Sequence, residues 1–218
     1  PDALINSWMA DAAAASVSAE GVHLNQMVGK GLLGMVSYYQ GTTVYPLKID
    51  QMNTAGTDYE YSNSDIVDGK NYTKVEHYWD EAFGYFGAAR DYATQDRADR
   101  KNSGTASTID GYKESINYDW AKYAAKRSDC SGCDTGDFDT KIMDAFTTGR
   151  AYISAGQRDG AIPYREIIYT EWEKVVAANI VHYGNDVANF ITTGLAADAS
   201  YDCSTSTSDD CAKYWSEM

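Results

Sequence analysis

The stretch from Lys74 to Phe86 reads KVEHYWDEAFGYF and predicts an amphipathic helix. Its apolar residues recur three and four positions apart, which is the spacing of a buried helix face. They are Val75, Tyr78, Trp79, Ala82, Phe83 and Phe86. Asn71 is of a residue type that commonly precedes helices, so we expect it to cap this one. A single helix cannot bury such a face alone, and the fold therefore depends on matching faces elsewhere in the chain.

Helical patterns occur on both sides of this stretch. They cover residues 2–14, 18–40, 116–126, 138–155 and 163–192, and a short terminal helix follows Asp209 or Asp210. Pro163 suits the first turn of its helix, where proline is tolerated. Residues 41–70, 87–108 and 194–207 are polar or rich in turn residues and predict loops. Because no segment alternates apolar and polar residues as a strand does, we predict an all-α helical bundle.

A degraded copy of part of the first helix ends the chain. Residues 77–81 read HYWDE, and residues 213–217 read KYWSE, so Tyr, Trp and Glu keep their spacing. An echo of this kind predicts an internal duplication. We expect one helical domain over residues 1–218, built from repeats at about 18–90 and about 137–218. Because the chain stops within the second copy, we also expect it to be a fragment or a processed form.

Composition narrows the class of protein. The chain has 218 residues, of which 44% are hydrophobic, so a substantial core is available. Its formal net charge of −14 repels phosphate backbones and argues against a nucleic-acid partner. No apolar run reaches the length of a transmembrane helix. So acidic a surface suits a solvated extracellular protein or one that attracts cations, although solubility alone would also explain it.

Four cysteines form two local pairs in polar loops. The pairs are Cys130 with Cys133 and Cys203 with Cys211. An even number of cysteines in such loops favours two short disulfides and an oxidising compartment. The alternative is a four-thiolate zinc site, although the wide spacing of the second pair suits it poorly.

The first helix also carries a cluster of potential metal ligands. His77 and Glu81 lie one turn apart on a helix, and Asp80 lies close to the same face. Imidazole and carboxylate suit iron or zinc. His182 and Glu217, the corresponding groups of the second repeat, are the candidates to complete the site.

The same cluster has a purely structural interpretation. In it the polar groups pair with Arg150 or Arg90 and, around Trp79 and Trp215, form a clasp between helices. Calcium is a further candidate, because four acidic residues surround the first cysteine pair. They are Asp129, Asp134, Asp137 and Asp139. Acidic residues before a helix are explained equally well by the helix dipole.

No known catalytic spacing is present. The zinc-peptidase, serine-hydrolase, phosphate-loop and dinucleotide motifs are all missing. We therefore predict a binding protein in preference to an enzyme.

Several stretches together resemble a bacterial family, the domain of unknown function 4856. They are KGLLGM at 30–35, YYQ at 38–40, NYT at 71–73, HYWDEAFGYFG at 77–87, MDAF at 143–146, GRA at 149–151 and WEKVVAA at 172–178. The resemblance covers most of residues 20–218. It implies a secreted or lipid-anchored envelope protein, located in the periplasm, anchored to the outer membrane or outside the cell. Its expected partners are an envelope or surface protein or further copies of itself. The family's second copy carries a His where this chain has Lys213.

The family is in turn distantly similar to imelysin-like proteins. These are helical periplasmic or surface proteins linked to iron uptake. They carry a His-x-x-Glu motif, whereas this chain has His-x-x-x-Glu at residues 77–81. The similarity implies a metal-related function.

Overall fold

The computed structural model describes residues 2–14, 17–18, 20–53, 61–62, 66–101, 108–109, 112–113, 117–129, 136–205 and 210–218. The α-helices among them are α1 (Asp2–Ala14), α2 (Leu24–Leu32), α3 (Lys74–Phe86), α4 (Arg97–Lys101), α5 (Asp119–Arg127), α6 (Phe138–Ser154), α7 (Arg158–Ala197) and α8 (Cys211–Glu217). This confirms the predicted all-α class. None of these helices is long and apolar enough to cross a membrane.

Short irregular elements complete the described chain. Two π-helical segments, Leu33–Tyr38 and Gln40–Val44, follow α2, and 3-10 helices lie at Pro46–Gln51 and Tyr92–Thr94. The two-residue strands are β1 (Met52–Asn53), β2 (Tyr61–Ser62), β3 (Thr108–Ile109) and β4 (Tyr112–Lys113). Strand β1 pairs in parallel with β2, and β3 pairs antiparallel with β4.

Three local predictions were wrong. Residues 41–51 continue as helical turns where a loop was expected, and α4 lies within the predicted loop at 87–108. Helix α7 begins at Arg158, so Pro163 lies inside it and not in its first turn. Polar and turn-forming residues weaken a helical pattern, but tertiary packing overrides such weak local preferences.

Helix α3 has the predicted bounds, Lys74–Phe86, but its N-cap lies two residues after the predicted one. Thr73, not Asn71, is the N-cap, and its Oγ1 accepts a 3.2 Å hydrogen bond from the backbone N–H of Glu76. In return the Glu76 carboxylate accepts a 2.6 Å bond from the backbone N–H of Thr73. This reciprocal capping box satisfies two N–H groups at the helix end. The helix ends at Gly87, whose φ of 83° is in the left-handed region that glycine tolerates.

The chain divides into two compact units. One comprises Val36–Val175, and the other comprises Pro1–Met35 together with Val176–Met218. These boundaries do not follow the predicted repeats, and the duplication stays a prediction.

The Val36–Val175 unit has an aromatic core. Trp172 is fully buried, and its ring meets those of Tyr38, Phe86 and Trp120 edge-on or tilted. Such arrangements suit the electrostatics of aromatic rings. Trp79 is 2% exposed, and its indole N–H donates a 2.9 Å hydrogen bond to the carbonyl of Phe146. The tryptophan of the first motif therefore anchors α3 on α6.

Close approach of these two helices depends on Gly149. A Cβ built on Gly149 would lie 2.3 Å from the Trp79 ring. Any larger residue would push the ring out of its place, so the glycine and the tryptophan form one packing unit.

The other unit joins α2, the second part of α7 and α8. Cys203 and Cys211 form a disulfide there, which confirms one of the two predicted bridges. The hydroxyl of Ser216 accepts a 2.9 Å hydrogen bond from the backbone N–H of His23. Cys130 and Cys133 lie outside the described residues.

Candidate functional site

Helix α3 presents two separate polar groups to its surroundings. Glu76 and Asp80 face Arg150 of α6, whereas His77 and Glu81 face another way. His77 Nε2 lies 3.5 Å from Glu81 Oε1, and the two side chains are 44% and 41% exposed. Of the three predicted ligands on α3, Asp80 therefore lies in an interhelix contact, whereas His77 and Glu81 stay at the surface.

Arg150 contacts Asp80, one of the polar groups in the structural interpretation of the cluster. Its other partners, Glu76 and Ser154, were not predicted. The Arg150 guanidinium donates to Asp80 Oδ1 at 2.8 Å and to Glu76 Oε1 at 2.6 Å. The Ser154 hydroxyl donates to the same Glu76 oxygen at 2.7 Å. We call Glu76, Asp80, Arg150 and Ser154 the clasp. Glu76 is its best-buried acid, since its side chain is only 13% exposed.

Glu76 was missed, although the sequence contains a signal for it. Thr73 and Glu76 have the spacing of a capping box, in which Ser or Thr is followed three residues later by Glu. Reading that pair would have placed Glu76 at the first turn of α3. Its second role, as the partner of Arg150, depends on a residue more than seventy positions away.

The Glu76 carboxylate of the clasp makes the free energy of unfolding depend on pH. Burial raises the pKa of Glu76, but hydrogen bonds from Thr73, Ser154 and Arg150 outweigh this and lower it to about 2. The unfolded chain binds a proton at this carboxylate more readily than the folded one. Its contribution is therefore complete above about pH 4.5 and is lost as pH falls towards 2.

We expect Glu76→Gln to remove part of this acid sensitivity. The carboxylate should contribute on the order of 2 kcal/mol near neutral pH. Urea unfolding at pH 7 and at pH 3 should show a smaller stability difference for Glu76→Gln than for the wild type. Asp11→Asn, which changes an acid elsewhere in the chain, is the control. Equal pH dependence in all three proteins would contradict the prediction.

The predicted ligands of the second repeat lie in the other unit. His182 Nε2 is 3.4 Å from Asp186 Oδ2 on α7, and Glu217 Oε2 is 3.8 Å from Lys30 Nζ. Among the described residues, no group of three or more His, Cys, Asp or Glu side chains is arranged to hold a metal ion. Trp215 is 55% exposed, in contrast to the buried Trp79.

The chain matches one known protein family. A family model described as Domain of unknown function (DUF4856) matches residues 7–205. The chain belongs to the DUF4856 family. No curated protein and no solved structure matches it. The more distant similarity to imelysin-like proteins is not confirmed.

A cleft of about 320 Å³ adjoins the clasp of this DUF4856 protein. Its walls are mainly apolar and come from α3 and α6, with Arg90 at one side. The lining residues are Trp79, Asp80, Phe83, Arg90, Met143, Phe146, Thr147 and Arg150. Because two carboxylates already balance the charge of Arg150, that side chain offers little attraction for an anionic ligand.

Three of the four acidic residues considered for calcium are paired with basic groups in the DUF4856 structure. Asp139 is fully buried and lies 3.0 Å from Arg100 and 3.3 Å from Arg97. Asp137 also pairs with Arg97, and Asp129 pairs with Lys101. Asp134 lies outside the described residues. These ion pairs explain why the acids gather here, and calcium binding stays a prediction.

Proposed function

We propose that this DUF4856 protein binds a metal ion or a metal complex through His77 and Glu81. The observation that carries the proposal is that α3 holds two separate polar groups, of which only one pairs with Arg150. The clasp uses Glu76 and Asp80, whereas the imidazole of His77 and the carboxylate of Glu81 stay 3.5 Å apart at the surface.

The chemistry of the pair sets the kind of metal. One nitrogen and one carboxylate suit iron or zinc, and the other positions of the ion stay open to water or to a chelate. The capping box and the tryptophan anchor hold α3 in place, so the two groups are presented on a rigid element. A net charge of −14 raises the local concentration of cations.

An exported location is part of the proposal. The Cys203–Cys211 bridge supports it, because disulfides form and persist in the periplasm and outside the cell. Periplasmic, outer-membrane-anchored and extracellular positions all meet this condition.

Removal of His77 should weaken metal binding. We expect calorimetric titration with Zn²⁺ to show at least a roughly tenfold loss of affinity in His77→Ala, because one of two protein ligands is lost. His23→Ala removes an imidazole from the other unit and should bind as the wild type does. Equal, negligible binding of zinc and iron by all three proteins would reject the proposal.

A second candidate function is a structural or interaction subunit of an envelope assembly. The clasp favours it, because Arg150 joins α3 to α6 through two carboxylates. In that case the motif only stabilises the fold. Arg150→Met would lower the melting temperature, and His77→Ala would leave no metal affinity to lose.

A further inference from the structure

Tyrosine side chains extend the His77–Glu81 pair into a larger cluster. Tyr85 follows Glu81 by four residues, so His77, Glu81 and Tyr85 occupy successive turns on one side of α3. Tyr45, which directly follows the π-helical segment Gln40–Val44, stacks on Tyr85 with ring centroids 5.6 Å apart. Helix α3 and the residue that follows Gln40–Val44 thus bring together one imidazole, one carboxylate and two phenols.

A second ring contact fixes the position of Tyr45. Its ring also lies near that of Tyr78, with ring centroids 6.1 Å apart, and Tyr78, Glu81 and Tyr85 are three and four residues apart on α3. Tyr45 therefore lies against the face of α3 that carries Glu81 and Tyr85. Glu81 in turn reaches the imidazole of His77.

We propose that His77, Glu81, Tyr45 and Tyr85 form a site for ferric ion. The inference rests on the proposed function and deepens it by naming the metal and two further ligands. One imidazole, one carboxylate and two phenols offer one nitrogen and three hard oxygen donors. Such a set favours a small, highly charged cation over zinc, whose protein sites use mainly His and Cys.

Coordination needs no change of oxidation state. Each phenol that binds releases its proton to solvent as its oxygen bonds to Fe³⁺, and the iron stays ferric. Tyr78 is not included, because the ammonium of Lys48 lies 5.8 Å from the centre of its ring.

The test uses the full chain, loaded with Fe³⁺ from ferric citrate. Phenolate bound to ferric iron absorbs visible light by charge transfer, which imidazole and carboxylate ligands alone do not produce. We expect the wild type to develop this band at one iron per chain. Tyr45→Phe and Tyr85→Phe keep the stacked rings and should each lose much of it.

Tyr164→Phe is the matched control. Tyr152 and Tyr164 form a second stacked pair in the same unit, also with centroids 5.6 Å apart. This variant should keep the full band. Resonance Raman spectra excited within the band should show phenolate vibrations in the wild type and weaker ones in Tyr45→Phe and Tyr85→Phe.

The results separate the two proposals. Zinc binding that depends on His77, without a visible band on adding Fe³⁺, would overturn the ferric site and leave the metal-binding function in place. A band that is equally strong in Tyr45→Phe, Tyr85→Phe and the wild type would also overturn it. Absence of zinc and iron binding alike would reject both proposals.

Discussion

Replacing Trp172 by alanine is expected to lower the free energy of unfolding by about 3–5 kcal/mol. Trp172 is fully buried, and its ring centroid is 5.1 Å from that of Phe86 and 6.0 Å from that of Tyr38. A Cβ on Gly41 would lie only 2.6 Å from it, so the ring is closely packed on that side too. Truncation would leave a cavity that the surrounding rings cannot fill without moving.

Urea denaturation followed by far-UV circular dichroism measures this effect. Trp215→Ala is the control, since it deletes the same side chain at a position that is 55% exposed. We expect it to shift the urea midpoint much less. Similar midpoints for the two variants would show that Trp172 does not organise the core.

Replacing Arg100 by methionine should destabilise the protein by a similar amount, about 3–5 kcal/mol. Arg100 lies 3.0 Å from the fully buried Asp139. It also donates hydrogen bonds to the backbone carbonyls of Tyr92 at 2.9 Å and Ala93 at 3.1 Å. Its removal would leave Asp139 with Arg97 as a more distant basic partner, at 3.3 Å. A buried carboxylate that loses its main partner is costly.

A double variant separates lost charge pairing from lost packing. Arg100→Met with Asp139→Leu removes both charges, so much of the stability should return. Lys101→Met breaks the neighbouring pair with Asp129, whose side chain is 57% exposed, and should change the unfolding midpoint little. If the double variant were less stable than Arg100→Met alone, the buried ion pair would not be the cause.

The apolar pattern of α3 predicted its packing well. Trp79, Val75, Ala82 and Phe86 are all buried, as the three- and four-residue spacing indicated. The N-cap was misassigned because Asn71 and Thr73 are both good capping residues. The backbone decides between them, since Thr73 has the extended conformation of an N-cap and pairs with Ile66 in a β-bridge.

The candidate site was predictable only in part. Helix geometry places His77 near Glu81 whatever the rest of the fold does, and the structure has this pair at 3.5 Å. Helix geometry alone does not show which carboxylates pair with Arg150. That choice follows from the packing of α3 on α6, where Gly149 admits the Trp79 ring and brings Arg150 against Glu76 and Asp80.

The helical class, the buried face of α3 and the local pair of His77 with Glu81 could all be predicted from the amino-acid sequence. These features depend on residues within a few turns of one another, whose relative positions follow from helix geometry. The packing of whole helices was needed to show that Arg150 binds Glu76 as well as Asp80 and that Tyr45 stacks on Tyr85. Such contacts join residues far apart in the chain, and their choice depends on how whole helices pack.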